Sequence, residues 1–197
     1  MRLVRAAGCL LGLASLAAPS ALAEEMALAA DLQVPLLLKV LTYDRNLEAR
    51  AGKELAIGIV FDAGDRDSAK ATDQIGSTLF KFSGKTVKTL PIKYYTIEYT
   101  SPADLERFVK QRGISVLYVA PGNTKNLPGL LKLSQDLDLV SATGVPDYVR
   151  KGVAVGIGVG QDRPQILINL ASAKAEGSDF DASLLRIATI LGPKVTP

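Results

Sequence analysis

The sequence predicts an α/β sandwich, in which a mostly parallel sheet of about six strands is flanked by helices and ends in a C-terminal antiparallel hairpin. Two observations support this fold class. Short, continuous apolar runs alternate with longer segments of helical periodicity, which is typical of strands buried on both faces between helices. Residues 153–160 and 165–169 then follow each other as two β-like runs separated by a short polar loop. Because no repeat or linker interrupts residues 24–197, we expect a single domain there.

The first 23 residues have the features of a secretory signal peptide. Arg2 and Arg5 form a basic start, residues 6–18 form an apolar run, and a small-x-small site ends at Ala23, so we expect cleavage before Glu24 and export to the periplasm. Two of the 23 Lys and Arg residues lie in this leader, which leaves 21 basic against 20 acidic residues. This balance offers no patch suited to nucleic acid. No later stretch is long and apolar enough to span a bilayer.

Seven segments have helical patterns. The first repeats apolar residues at three- and four-residue steps and stops at Gly52, and Pro35 predicts that this helix begins close to the proline, because proline is tolerated in a first turn. Ser101 and Asp104 form a capping-box variant with proline at the first helical position. Asn169 is placed to cap a later helix, and residues 178–181 the last one. The predicted helices cover residues 31–50, 68–82, 102–112, 127–137, 148–151, 170–176 and 182–191.

Six segments are predicted as strands. The first is a continuous apolar run with Gly58 inside it, which indicates a strand covered on both faces. The second is rich in Thr, Tyr and Ile, and Pro91 favours an edge position or an interruption there. The predicted strands cover residues 55–61, 87–99, 115–120, 139–142, 153–160 and 165–169.

β-Branched residues alternate with alanine or glycine in the first strand of the hairpin, residues 153–160. The odd positions of residues 153–159 present an apolar face, and the even positions of residues 154–160 carry only alanine and glycine. A bare face of this kind allows something flat to approach closely, either a helix of the same chain or a partner. With residues 161–164 as the loop, Val159 is predicted to lie opposite Ile166.

The residue types available exclude most catalytic machinery. The chain contains no His or Trp, and its one cysteine, Cys9, lies in the predicted leader. Without His there is no Ser-His-Asp triad, no Cys-His pair and no ordinary zinc site. The carboxylate pairs at residues 62 and 65 and at residues 179 and 181 flank a turn and a cap, and the glycines of residues 156–160 lie inside a strand, unlike those of a nucleotide-binding turn. We therefore expect no catalysis, no cofactor and no metal.

Two polar turns follow buried strands and form a candidate ligand crevice. In a parallel sheet these turns lie at the same carboxyl edge, where open α/β sheets bind ligands. Ordinary turn chemistry explains the same residues, and the sequence leaves both interpretations open. The candidate residues are Asp62, Gly64, Asp65, Gly122, Asn123 and Thr143.

The C-terminal part of the chain combines several motifs in a fixed order. These are Gly152, Ile166-Leu167-Ile168-Asn169-Leu170, Ala173, Gly177 and Ser183-Leu184-Leu185-Arg186-Ile187-Ala188. This order resembles the YfiR-like family of small exported bacterial proteins, which ends in a glycine, a hairpin that closes in an apolar-x-apolar-Asn-Leu motif, a small-residue helix and a Ser-Leu-Leu-x-x-Ala helix. Earlier segments are similar in order, from Lys39-Val40-Leu41-Thr42-Tyr43-Asp44 through residues 57–61 to Val116-Leu117-Tyr118-Val119. Many relatives have Trp-Pro where this chain has Asp44-Arg45-Asn46.

The resemblance implies a periplasmic, non-catalytic and often dimeric α/β domain that represses a membrane-bound diguanylate cyclase through its periplasmic region, and so lowers cyclic-di-GMP and restrains biofilm formation. Relatives with that role carry disulfides, which the mature chain lacks. For the surface that touches the partner, we select Asp147, Arg150, Arg163 and Asn169, near the hairpin and its approach. An alternative is a small-solute-binding protein that serves a transporter through the crevice.

Overall fold

The computed structural model of the protein describes residues 26–192. The predicted signal peptide and its cleavage site lie outside the described residues. Residues 26–192 form one eight-stranded sheet with helices on both faces.

The sheet has the strand order β2-β3-β1-β4-β5-β6-β7-β8. The five strands from β3 to β6 in this order are parallel, β2 runs antiparallel to β3, β7 runs antiparallel to β6, and β8 runs parallel to β7. This arrangement confirms the predicted fold class. The strands are β1 (Leu55–Phe61), β2 (Thr86–Val87), β3 (Leu90–Glu98), β4 (Val116–Val119), β5 (Val140–Thr143), β6 (Val155–Gly160), β7 (Arg163–Asn169) and β8 (Thr189–Leu191).

The helices form a layer on each face of the sheet. Side chains of α1 and α3 pack with one set of alternate strand residues, and those of α4, α5 and α6 pack with the other set. The three predicted caps are confirmed, because Ser101 accepts from the Asp104 N–H, Asn169 from the Ser172 N–H and Asp181 from the Ser183 N–H. The helices are α1 (Ala30–Leu41), α2 (Leu47–Ala51), α3 (Arg66–Phe80), α4 (Pro102–Arg112), α5 (Leu127–Asp136), α6 (Pro146–Arg150), α7 (Leu170–Ala175) and α8 (Ala182–Ile187).

The prediction of one helix over residues 31–50 is wrong. Helix α1 begins at Ala30, so that Pro35 lies inside it, and α2 is separated from α1 by a corner at residues 42–46. The corner forms because Asp44 turns inward and is fully buried, where it pairs with Arg50. A buried ion pair between distant parts of the chain is invisible to helical periodicity.

The last predicted helix, over residues 182–191, is also too long. Helix α8 ends at Ile187, Ala188 is extended (φ −87°, ψ 152°), and β8 pairs with β7, with Ile190 beside Ile168. The sheet therefore has two more strands than the six predicted, β8 and the two-residue β2. Pairing with β8 satisfies backbone groups of β7 that would otherwise face water as an open edge.

The hairpin is present, but its register differs from the prediction. Val159 lies opposite Pro164 and Ile157 opposite Ile166, because the loop contains only Gln161 and Asp162. Both loop residues have positive φ, 49° and 59°, as a type I′ turn requires, and this turn matches the twist of the strands. The shift is two residues, so every side chain keeps its predicted face.

Candidate functional site

Helix α6 covers the bare face of the hairpin. A Cβ atom at Gly156 would lie 2.3 Å from Val149 Cγ2, and one at Gly158 would lie 3.1 Å from Pro146 Cγ. Of the two occupants that the sequence allowed, a helix of the same chain is therefore the one present at these glycines. The glycines let α6 rest directly on the strand backbone.

The opposite, branched face of the hairpin is covered only in part. Ile157 and Ile168 are buried in the core that α1 contributes to, whereas Val159 and Ile190 are 43% and 44% exposed. We define the ribbon face as the part of this surface that is not fully buried. Strand pairing places its members on one face. The ribbon face consists of Val159, Pro164, Ile166 and Ile190.

The residues predicted to touch a partner lie around the other side of the same ribbon. Asp147 and Arg150 are exposed on α6, where Asp147 pairs with Lys151 at 2.7 Å. Arg163 is exposed at the start of β7, opposite Gly160, and therefore points to the face that α6 covers. Their role in partner binding stays a prediction.

Asn169 is held inside the fold. It is 7% exposed, its Nδ2 donates to the Val149 carbonyl at 3.1 Å, and its Oδ1 accepts from the Ser172 N–H at 3.1 Å. The amide thus links α6 to the start of α7. Any effect of Asn169 on a partner would act through the position of α6.

Replacement of Asn169 by alanine is expected to lower the free energy of unfolding by about 1–2 kcal/mol, because a helix cap and a buried hydrogen bond are lost together. Urea titration of the purified protein measures this loss. Asn169→Ser retains a capping oxygen and should recover part of the stability. An Asn169→Ala variant as stable as the wild type would contradict this role.

The candidate crevice residues do meet at the carboxyl edge of the sheet. The strand order places the topological switch point between β1 and β4, and Gly122, after β4, lies so near Asp65, after β1, that a Cβ atom on it would be 2.8 Å from Asp65 Cγ. Asp62 pairs with Lys125 at 2.7 Å, and this hydrogen bond and the Gly64 N–H hold the pKa of the Asp62 carboxyl below its usual value. The two turns are therefore joined to each other.

The remaining polar groups of the crevice bond within the protein. Asn123 is buried, donates from Nδ2 to the Ala120 carbonyl at 3.0 Å and accepts from Asn126 Nδ2 at 3.1 Å. Thr143 Oγ1 donates to the Val119 carbonyl at 2.9 Å and accepts from the Val145 N–H at 3.1 Å. These contacts agree with the turn-chemistry interpretation, and ligand binding here stays a prediction.

The segment just before α1 runs over the same edge. The Ala27 N–H donates to the Gly144 carbonyl at 3.1 Å, and Gln33 Nε2 donates to the Leu28 carbonyl at 3.2 Å. Gln33 also bonds to the hydroxyl of Tyr118, whose pKa is raised by complete burial. Sequence reasoning missed Gln33 and Tyr118, although a glutamine in the apolar stripe of α1 is a signal that could have drawn attention to them.

A second feature missed from the sequence is a polar cluster around Asp44. Asp44 and Arg50 pair at 3.0 Å with side chains 0% and 8% exposed. The Asp44 carboxylate also accepts from the Asp179 N–H at 3.0 Å, and Arg50 Nη2 donates to the Gly177 carbonyl at 2.9 Å. The cluster joins the corner after α1 to the loop before α8.

The third missed feature is Glu176, which follows α7 and is fully buried. Its carboxylate accepts from the Ser141 N–H at 2.8 Å and from the Ser141 hydroxyl at 2.6 Å. Burial raises the pKa of Glu176 to about 7, although the bonds from Ser141 and the charge of Arg50 act in the other direction. Glu176 stands between the end of a helix and a glycine, and nothing in this sequence context indicates that its side chain is buried.

The described residues offer no metal centre and no membrane span. In residues 26–192, His, Cys, Asp and Glu side chains nowhere gather in groups of three or more that could hold a metal ion. No helix in that part of the chain has the length and apolar character needed to cross a membrane.

Solved structures with a similar fold have little sequence in common with this chain. The ABC domain in complex with L-Trp from Streptococcus pneumonia has 14% identity and a TM-score of 0.56, and a conserved domain protein from Vibrio cholerae has 14% identity and a TM-score of 0.57. Each match covers 83% of this chain and 60% of the other, so the chain spans less than two thirds of either structure. These similarities concern the fold alone.

Comparison with curated proteins finds no match. Comparison with protein families does find one: the YfiR/HmsC-like family matches residues 36–189, from α1 to the first residue of β8. The match includes the glycine-bearing hairpin, the asparagine cap and the Ser-Leu-Leu helix on which the sequence resemblance rests. The chain belongs to the YfiR/HmsC-like family.

Proposed function

We propose that this protein is a non-catalytic periplasmic regulator that binds and represses a membrane-bound diguanylate cyclase or a similar signalling protein. Membership of the YfiR/HmsC-like family supports a periplasmic regulatory role in cyclic-di-GMP signalling, and the regulators of this family act on membrane signalling proteins rather than as catalysts. In this proposal residues 1–23 are a cleaved signal peptide and residues 24–197 are the single working domain, alone or as a homodimer.

The observation that carries the proposal is the ribbon face. Side chains such as Val159 and Ile190 are apolar, share one side of the sheet and remain accessible, as the centre of a protein–protein interface requires. Arg150 and Arg163 are exposed on the opposite side of the ribbon, the side that α6 covers, so they lie outside this apolar surface. A partner that lays an apolar surface on the ribbon face fits this arrangement.

Charge introduced into the ribbon face is expected to weaken partner binding by about tenfold or more, because an unpaired charge at the centre of an interface must lose its water. The test uses the mature protein as bait for detergent-solubilised membranes of the source organism, with mass spectrometry of the captured proteins. We expect capture of a membrane protein with a diguanylate cyclase domain by the wild type, and about tenfold less by Ile190→Glu and Val159→Lys.

The matched control is Phe80→Glu, since Phe80 is 67% exposed at the end of α3 and belongs to a different surface. This variant should capture the cyclase as the wild type does. Equal capture by all four proteins would remove the ribbon face from the proposal. Unchanged cyclic-di-GMP in cells that lack the gene would contradict the regulatory function itself.

A further inference from the structure

Strands β5 and β6 share the shortest parallel pairing between neighbours in the middle of the sheet. Only Ala142 lies opposite Val155 and Thr143 opposite Gly156, whereas β6 and β7 pair along the whole of β6. We call this junction the seam. The hairpin, β8 and hence the ribbon face all lie beyond the seam in the sheet.

Side chains complete the seam where the backbone ladder stops. The Ala154 N–H donates to Ser141 Oγ at 2.9 Å, and the Ser141 hydroxyl donates in turn to Glu176 Oε1 at 2.6 Å. The Ser141 N–H donates to Glu176 Oε2 at 2.8 Å. Two hydrogens of Ser141 are therefore directed at the carboxylate of Glu176, in the segment after β7, and the Ala154 N–H is linked to that carboxylate through the Ser141 hydroxyl.

The state of this carboxylate is finely balanced. When Glu176 is ionised, its carboxylate accepts both hydrogens of Ser141. When it is protonated, its own proton also needs an acceptor, and one of these hydrogens would be left without a partner. Complete burial favours the acid, and the two influences leave the pKa of Glu176 near 7. The chain has no histidine, the usual side chain that titrates in this range.

The charged groups around Glu176 are few. Arg50, in α2, favours the ionised form of Glu176, and Arg50 itself pairs with Asp44. Asp138, from the turn before β5, lies against Gly177, where a Cβ atom would be 3.2 Å from Asp138 Oδ1. Lys174 on α7 is exposed, and β6 carries no titratable residue.

We propose that Glu176 makes the attachment of the C-terminal ribbon depend on pH, so that acid closes the seam and alkali loosens it. A glutamate whose pKa is higher in the closed protein than in an open form stabilises closure below its ordinary pKa, and this stabilisation is lost as the pH rises through the higher value. When the seam opens, the charged carboxylate recovers its water. Binding at the ribbon face inherits the same pH dependence, a step that rests on the function proposed above.

The direct test is amide hydrogen exchange of the mature protein between pH 5 and pH 8.5, with the intrinsic exchange rates divided out. Protection of the Ser141 and Ala154 amides is expected to fall by about 80-fold between pH 5 and pH 8.5, for a pKa that moves from the ordinary value of about 4.3 to about 7. In Glu176→Gln, whose amide is neutral and of the same shape, protection should not change across this range. The matched control Glu98→Gln, at an exposed position of β3, should behave as the wild type does.

A carbon-13 NMR titration of the Glu176 carboxyl in the wild type gives an independent readout that needs no variant. A midpoint near 7 supports the proposal, and a midpoint between 4 and 5 overturns it, since the ordinary pKa of glutamate lies at about 4.3. Ser141→Ala removes one hydrogen bond to the ionised form and should move the midpoint to higher pH. Protection that does not vary with pH in the wild type, or that varies equally in Glu176→Gln, also overturns it.

Capture of the membrane partner at pH 6 and pH 8 separates this proposal from the function on which its last step rests. Flat exchange profiles contradict the pH-dependent seam, whatever the capture experiment gives. Exchange profiles that change as expected, together with normal capture by Ile190→Glu, would support the seam and contradict the ribbon face as the binding surface.

Discussion

Replacement of Asp44 by alanine is expected to lower the free energy of unfolding by about 3–5 kcal/mol, the cost of removing one member of a buried ion pair. Arg50 would keep its charge at 8% exposure without the carboxylate 3.0 Å away. The Asn46 and Asp179 N–H groups, each 3.0 Å from Asp44 Oδ1, would also lose their acceptor. Urea or thermal unfolding of the purified mature protein measures the loss.

Two further variants test whether burial is the cause. Asp179→Ala removes the same charge from an exposed pair with Arg45 and should leave stability almost unchanged. Asp44→Ala combined with Arg50→Met removes both charges and should be less destabilised than Asp44→Ala alone, because no buried charge is left without a partner. A double variant less stable than Asp44→Ala would contradict this explanation.

The second large effect is expected at Gly156, where alanine should lower the free energy of unfolding by about 2–3 kcal/mol. The added methyl group would lie 2.3 Å from Val149 Cγ2, well inside van der Waals contact, so α6 has to move away from β6. In a protein of this size such a loss corresponds to a fall in Tm of roughly 4–12 °C. Differential scanning calorimetry measures it.

Gly76→Ala is the matched control for this substitution. Gly76 lies inside α3, where a Cβ atom would be 3.4 Å from Tyr94 Cε2, an ordinary contact, and alanine should stabilise the helix by about 0.5–1 kcal/mol. Val149→Ala in the Gly156→Ala background makes room for the new methyl group and should recover part of the loss. If Gly156→Ala melts at the wild-type temperature, α6 does not rest on this strand as described.

Local patterns in the sequence were sufficient to predict those features that depend only on residues close together in the chain. The caps at Ser101 and Asn169 and the buried run of β1 were predicted because short spacing, side-chain type and apolar continuity determine them. The alternation in β6 likewise placed Ile157 on the buried face and Gly156 on the bare one, even though the loop length was wrong by two residues. A shift of two residues leaves each side chain on the same face of the strand, although the loop length changes.

The candidate sites depend on side-chain contacts that the spacing of residues in the sequence does not reveal. The sequence brought Asp62 and Asn123 to one sheet edge, but only the folded chain decides that Lys125 pairs with the first and that the second bonds inside its own loop. The segment before α1 that crosses this edge was not foreseen, because residues distant in the chain place it there.

By itself, the sequence determined an α/β sandwich, a hairpin with one branched and one bare face, and a family. These follow from periodicity and from residue types that act over a few positions. Only the tertiary structure decided that α6 fills the bare face, that part of the branched face stays accessible, and that Asp44 and Glu176 are buried. A charge becomes a buried charge only when elements far apart in the chain close around it, and that closure is a property of packing rather than of local pattern.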